Sequence, residues 1–168
     1  ERQFLGQRGD ELASFSEDTL RWVDPEGATV TEVKLDCGDW SPWLAADGRL
    51  GFCPVKEDGT DQRTLVFDAR TGAKRCTLPL EAHGLGGTRV ATANRGVSEE
   101  RVDDDWTLEA YDLDHCARLW RRRFDTSTLA LSPDGETLYR IDDRGYLHAH
   151  AADSGELQWR YTLPPWTF

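Results

Sequence analysis

Residues Thr128–Pro164 read TLALSPDGETLYRIDDRGYLHAHAADSGELQWRYTLP, and the order of apolar and turn-forming residues in this stretch decides the fold. Thr128 to Ser132 is a short apolar run that stops at a Pro-Asp-Gly turn, and Glu136 to Ile141 follows with Leu138 and Ile141 set among polar residues. Asp142 to Gly145 is a second turn, Tyr146 to Ala152 a third run and ADSG a third turn. From Glu156 a fourth run places Leu157, Trp159, Tyr161 and Leu163 between polar neighbours. Period-two alternation bounded by Gly, Asp and Pro clusters is the pattern of half-buried antiparallel strands joined by tight turns. The stretch therefore predicts four strands, and four strands cannot easily bury their faces alone.

Slid back along the chain, the stretch matches three more times. The turn before the fourth strand recurs as DPEG at Asp24, DARTG at Asp68, DLDHC at Asp112 and AADSG at Ala151, starts that lie 44, 44 and 39 residues apart. Four residues beyond the last position of that turn stand Cys76, Trp120 and Trp159, with Thr31 in the shorter first copy. The third strand ends as LRWVD, LVFDA, LEAYD and LHAHA, and a glycine (Gly9, Gly48, Gly87, Gly135) opens each second strand. Four copies of a four-stranded unit of about 40 residues are the signature of a β-propeller, whose twisted blades pack face to face. The expected fold is all-β, one propeller domain over residues 1–168 with blades at roughly 1–36, 37–80, 81–125 and 126–168. Burying a Trp side chain between blades is worth on the order of 5 kcal/mol before conformational entropy is subtracted, so Trp120 and Trp159 are expected in the core.

The loose pattern LxAxDxxTGxxxW, present with small length changes as LVFDARTGAKRC, LEAYDLDHCARLW and LHAHAADSGELQW, resembles the blade repeat of quinoprotein-like propellers. LALSPDGETLY is similar to the first two strands of WD-repeat and related bacterial propellers. The resemblance covers nearly the whole chain and implies blades rather than chemistry. Quinoprotein dehydrogenases hold their quinone with a disulfide between adjacent cysteines and a calcium site, and no two cysteines are adjacent here. The third strands end in VD, FD, YD and HA where WD repeats carry Trp-Asp, and SPDGETLY is one residue short of the Asp-box spacing of sialidase-type propellers. Four blades is the small end of the usual range. With no leftover strand to act as a clasp, the chain reads as about half of a larger ring; a self-closed four-blade ring and two half rings pairing as a homodimer are the alternatives. Starting at Glu1 and containing no Met, it is expected to continue upstream.

A formal net charge of -11 opposes wholesale binding to nucleic acid, and no apolar run approaches the roughly 20 residues of a membrane helix. Of 20 basic residues 17 are Arg, a bias that suits a GC-rich genome or, with the Asp excess, a salt-adapted protein. Cys37, Cys53, Cys76 and Cys116 show no CxxC pair and no zinc spacing, and read as buried small hydrophobes in strands, with disulfides left open, which weakly favours a cytoplasmic location.

His148 and His150, two apart in one strand, project on the same face, yet no third ligand lies at a comparable spacing, and they read as a strand pair rather than a metal site. There is no GxSxG elbow, Gly-rich nucleotide loop or EF-hand spacing, so no catalytic, cofactor or metal residues are assigned. In LWRRRF, Trp120, Arg122 and Phe124 share one face and Arg121 and Arg123 the other; the arginines are expected to pair with neighbouring acids, and a docking stripe for an acidic partner is the competing reading. Two connections outgrow the tight turns: KEDGTDQ from Lys56 to Gln62 and RGVSEERVDDD from Arg95 to Asp105. Both fall between second and third strands, as does DDRG at Asp142. Insertions that gather on one face of a repeat protein often bind. The candidate partner-binding face is therefore Trp40, Asp58, Asp61, Glu99, Glu100, Asp103, Asp104, Asp105, Trp106, Asp142 and Asp143, suited to a basic protein segment or a cation. The function expected is non-enzymatic: a binding or scaffolding propeller, part of a larger protein, with a protein partner, no nucleic acid, no membrane and no cofactor, its ring completed by additional blades or a homodimer. A segment of a quinoprotein-like or hydrolytic propeller enzyme is the alternative.

Overall fold

The computed structural model describes residues 3–37, 42–45, 47–57, 61–78, 89–91, 95–102, 105–124 and 128–164. The chain divides into two compact units, Glu1–Ala82 and His83–Phe168. The first unit holds a sheet of β1 (Gln3–Arg8), β2 (Glu11–Ser16), β3 (Thr19–Val23) and β4 (Thr29–Lys34), then one of β5 (Trp43–Leu44), β6 (Leu50–Glu57), β7 (Asp61–Asp68) and β8 (Lys74–Leu78). The second holds β9 (Arg89–Ala91), β10 (Arg95–Val102), β11 (Asp105–Asp112) and β12 (Ala117–Arg123), then β13 (Thr128–Leu131), β14 (Thr137–Ile141), β15 (Tyr146–Ala151) and β16 (Leu157–Thr162). Each sheet is a four-stranded antiparallel meander, and the described residues contain no helix. The chain is all-β and built of four propeller blades.

The repeat is kept down to a defect in the ladder. In every blade the pairing of third and fourth strands slips by one residue at the same place: after Trp22, Val66, Ala110 and Ala149. Each slip leaves one extra residue on the outer strand (Val30, Arg75, Leu119, Gln158), and such a bulge bends and twists the strand locally. Directly before it stand the cross-strand pairs Trp22–Thr31, Val66–Cys76, Ala110–Trp120 and Ala149–Trp159. The third-to-fourth turn ends on a left-handed residue, Gly27, Gly72 and Gly155 at φ 86, 72 and 68°. Cys116 fills that place in the third blade at φ 54°, a conformation few side-chain-bearing residues adopt.

Within each unit the two blades are joined by one indole. Trp22, 1% exposed, donates from Nε1 to the Ala69 carbonyl at 2.8 Å, and Trp120 donates to the Ala152 carbonyl at 2.9 Å. Ala69 and Ala152 hold the same place, the second residue of the third-to-fourth turn of the following blade. The two indoles come from different strands, Trp22 from β3 and Trp120 from β12. They stand in equivalent cross-strand pairs, so either member of the pair can carry the ring to the seam. Around Trp22 gather Ala13, Phe15, Leu20, Val33, Leu35, Phe67 and Ala69; around Trp120 gather Val97, Leu108, Ala110, Leu129, Leu138 and Ala152.

The structure corrects four expectations. Trp159 is 45% exposed, not core, although it stands in the position of Trp120. The cysteines are not free hydrophobes: Cys37, after β4, bonds Cys53 in β6 across the first seam, and none of the four is free. The segment after Gly87 forms the first strand of its blade, not the second, which is β10. The two long connections are mostly strand: Lys56 and Glu57 pair with Gln62 and Asp61, and Arg95–Val102 pairs throughout with Asp105–Asp112. Alternation is weak where charged residues fill both faces, which is why GVSEERV does not read as strand from sequence.

Candidate functional site

The expected acidic face is distributed over long hairpins rather than loops. Glu99 and Glu100 lie in β10 opposite Leu108 and Thr107, while Asp105 and Trp106 lie at the start of β11 opposite Val102 and Arg101. Asp61 starts β7 opposite Glu57. Trp40, Asp58, Asp103 and Asp104 lie outside the described residues. Asp143 is exposed in the turn between β14 and β15, but its neighbour Asp142 is engaged internally. The Oδ1 atom of Asp142 accepts from the backbone N–H groups of Arg144 and Tyr146 at 3.0 and 2.9 Å, and its Oδ2 accepts from His148 Nε2 at 2.9 Å. Burial of Asp142 works against ionisation, yet the Tyr146 and Arg144 amides and His148 outweigh it and hold the carboxyl below its usual range.

The same local device explains much of the acid content. Asp68 Oδ1 accepts from the amides of Arg70 and Thr71 and from the Thr71 hydroxyl, and Asp112 Oδ1 accepts from the amides of Asp114 and His115. A short carboxylate that bonds the backbone two or three residues on fixes a tight turn. Such acids are spent on turns and leave less charge for a partner.

His148 and His150 do share a face, and both are buried. The side chain that stands between them is Arg140 of β14. Its Nε donates to His150 Nε2 at 3.2 Å and its Nη2 lies 3.4 Å from His148 Nδ1. His150 Nδ1 donates to the Gly155 carbonyl at 3.1 Å, and that carbonyl also accepts from Arg122 Nη1 at 3.1 Å. Phe124 closes the group, with the Arg140 guanidinium 4.9 Å from its ring centre and His150 edge-on to it. A guanidinium donating to an imidazole lone pair requires that nitrogen to be unprotonated. Burial, then the charges of Arg140, His148 and Arg122, push the His150 pKa down against the pull of the Gly155 carbonyl. The lone pairs a metal would need are turned to Arg140, and no group of three or more His, Cys, Asp or Glu suited to a metal occurs among the described residues.

On the opposite face of β12, Arg118 Nη1 and Arg121 Nε lie 3.0 and 3.4 Å from Glu109 Oε1, and the Tyr111 hydroxyl donates to Glu109 Oε2. Burial and the Glu109 carboxylate raise the Tyr111 pKa. Part of LWRRRF is thus an ion-pair strand. Arg122, on the face of Trp120, has its charge at the Gly155 carbonyl instead of a carboxylate. Glu109 is the residue that sequence reading overlooked, although its alternation with Ala110 and Tyr111 places it opposite the arginines of the neighbouring strand.

Three of the six exposed large apolar side chains among the described residues lie on β16. All six of its residues are exposed, with Leu157 at 55%, Trp159 at 45% and Tyr161 at 59%. Trp159 and Tyr161 pair with Ala149 and Leu147, and so share the face that in the third blade carries Trp120 and Arg122. That face of the third blade is the seam with the fourth.

No protein-family model matches the sequence, and no curated protein matches it. Among solved structures 835 chains match. One is the crystal structure of BamB from Moraxella catarrhalis, to which this chain is similar with 20% identity and a TM-score of 0.46 over 92% of its own residues. The match covers 50% of that chain, so the present chain spans about half the length of that protein.

Proposed function

We propose that the chain is a non-enzymatic protein-binding module, a set of propeller blades that works as a scaffold within a larger assembly. The observation that carries this reading is the aromatic face of β16, where Trp159 and Tyr161 are about half exposed and Trp159 stands in the position that the preceding blade buries as Trp120. Contiguous exposed aromatic residues mark surfaces that bind protein, and Trp and Tyr dominate the energetics of such contacts. The acidic hairpin tips are a second contact for a basic segment, one that weakens as salt screens it. The Cys37–Cys53 disulfide supports an oxidising compartment over the cytoplasmic one expected from sequence.

The test replaces Trp159 and Tyr161 together by Glu and compares proteins retained by the immobilised chain from the extract of its source. The variant should lose the retained proteins while its near-ultraviolet circular dichroism stays native. Retention unchanged by both replacements would overturn the reading. In the same assay, neutralising Asp103, Asp104 and Asp105 together should reduce only the salt-sensitive part of the capture, and capture equal to wild type would remove the acidic face.

A further inference from the structure

The seams inside the two units define a knob and a socket. At the second seam the Trp120 ring lies 3.1 Å from where a Cβ on Gly155 would be, its Nε1 donates to the Ala152 carbonyl, and Leu138 beneath it is fully buried. At the first seam Gly72 meets Val33 in the same way and Ala69 accepts from Trp22. In both, the socket is a third-to-fourth turn in which a left-handed glycine lets the partner side chain approach and a carbonyl accepts the indole N–H.

Among the described residues, Trp159 is a knob with its ring exposed and the first-blade turn a socket with nothing against its glycine. Trp159 repeats the position of Trp120 but is 45% exposed. The first blade carries the socket as Asp24-Pro25-Glu26-Gly27, with Pro25 at the place of Ala69 and Ala152. Gly27 has φ 86°, and among the described residues nothing lies within 4 Å of a Cβ built on it. Leu12, which pairs with Val23 as Leu138 pairs with His150, is 40% exposed where Leu138 is 0% exposed. The bulge residue Val30 beside this turn is 44% exposed.

We propose that the fourth blade of one copy docks on the first blade of a second copy, with Trp159 on the Pro25–Gly27 turn and Leu12 beneath it. The proposal rests on β16 being a protein-binding face, and names its occupant. The contact is head to tail, reproducing between copies what Trp120 does within one. It gives the indole N–H a carbonyl to bond and covers Trp159 and Leu12 in one step, as Trp120 and Leu138 are covered at the second seam.

Sedimentation velocity across a concentration series reads the association. Wild type should sediment as a self-associating species. Trp159→Glu removes the knob, and Gly27→Asn fills the socket with a side chain that tolerates a left-handed backbone. Each should weaken self-association by at least roughly 30-fold, the size of a hot-spot loss of about 2 kcal/mol. Mixing the two variants should restore association, because each keeps the half the other lacks; Leu12→Glu is a second socket variant that leaves the turn untouched. A wild type that stays monomeric at every concentration, an association indifferent to these replacements, or a mixture that stays apart would each overturn the second copy as occupant. A monomer that still loses retained proteins on replacement of Trp159 and Tyr161 would leave the broader protein-binding reading standing, and one that does not would remove both.

Discussion

The two seams use one recognition element and secure it differently. At the first, the bond from Trp22 to Ala69 is accompanied by the Cys37–Cys53 disulfide and by Arg70, whose Nη1 and Nη2 lie 2.6 and 3.3 Å from the two carboxylate oxygens of Glu11. At the second, the bond from Trp120 to Ala152 is accompanied by a buried polar group, Arg122 and His150 on the Gly155 carbonyl with Arg140 between the histidines. A covalent link and a bidentate ion pair do not depend on pH near neutrality, whereas a network that needs a neutral imidazole does. The comparison separates what makes a seam, an indole on a turn carbonyl, from what tunes it.

The largest effect should come from removing the element both seams share. Trp22→Ala and Trp120→Ala each delete a buried ring and leave its carbonyl partner without the indole donor, a loss of about 3 to 5 kcal/mol in urea unfolding. Trp159→Ala, in the same repeat position but half exposed, should cost less than about 1 kcal/mol in the dissociated chain. Equal losses for Trp120 and Trp159 would show that the fourth blade's outer face is packed, and would erase the distinction between filled and unfilled positions.

Next in size is the Cys37–Cys53 staple of the first seam. Replacing Cys37 and Cys53 together by Ala frees a loop with a sequence separation of 16 and should cost about 3 kcal/mol. Hydrogen exchange read peptide by peptide should place the loss in β2 to β6 and spare β10 to β15. An equal rise in exchange throughout would mean that the seams are not independently secured.

The blade pattern was legible in the sequence because strands, bulges and turns are written locally: period-two alternation, an Asp that folds back on its own amides, a glycine where the backbone is left-handed. The position facing the next blade was legible as well. Its burial was not, because a local pattern can mark Trp120 and Trp159 as equivalent but cannot say which has a blade on it. For the same reason the repeat marks Thr31 in the expected slot, while the ring that reaches the seam, Trp22, stands on the adjacent strand. Cys37 and Cys53 meet only through the stacking of two blades, so their spacing carried no signal. Glu99 and Glu100 sit inside a strand where the sequence suggests a loop, because charged residues along β10 hide its alternation. The pairing of His148 with His150 was visible from their spacing, but Arg140, which decides what they can bind, comes from another strand.

The smallest effect expected is the one that tests the tuning of the second seam. His150 is faced by Arg140 from β14, His148 from its own strand, Arg122 from β12 and the Gly155 carbonyl, with Asp142 beyond His148. Its folded pKa is depressed, so the unfolded chain takes up a proton more readily. The stabilisation is therefore complete above the ordinary imidazole value of about 6.5 and is lost as pH falls from there through the folded value. The turn carboxylates Asp68, Asp112 and Asp142, whose pKa values are also lowered, act in a separate window, below about pH 4. Between about pH 7.5 and 5.5, exchange in β14 to β16 should accelerate while β2 and β3 at the disulfide-linked seam hold steady. His150→Gln, which keeps a donor and an acceptor but no titrating group, should flatten that dependence. The same acceleration in the Gln variant would assign the acid sensitivity to another group and leave the two seams alike in their response to pH.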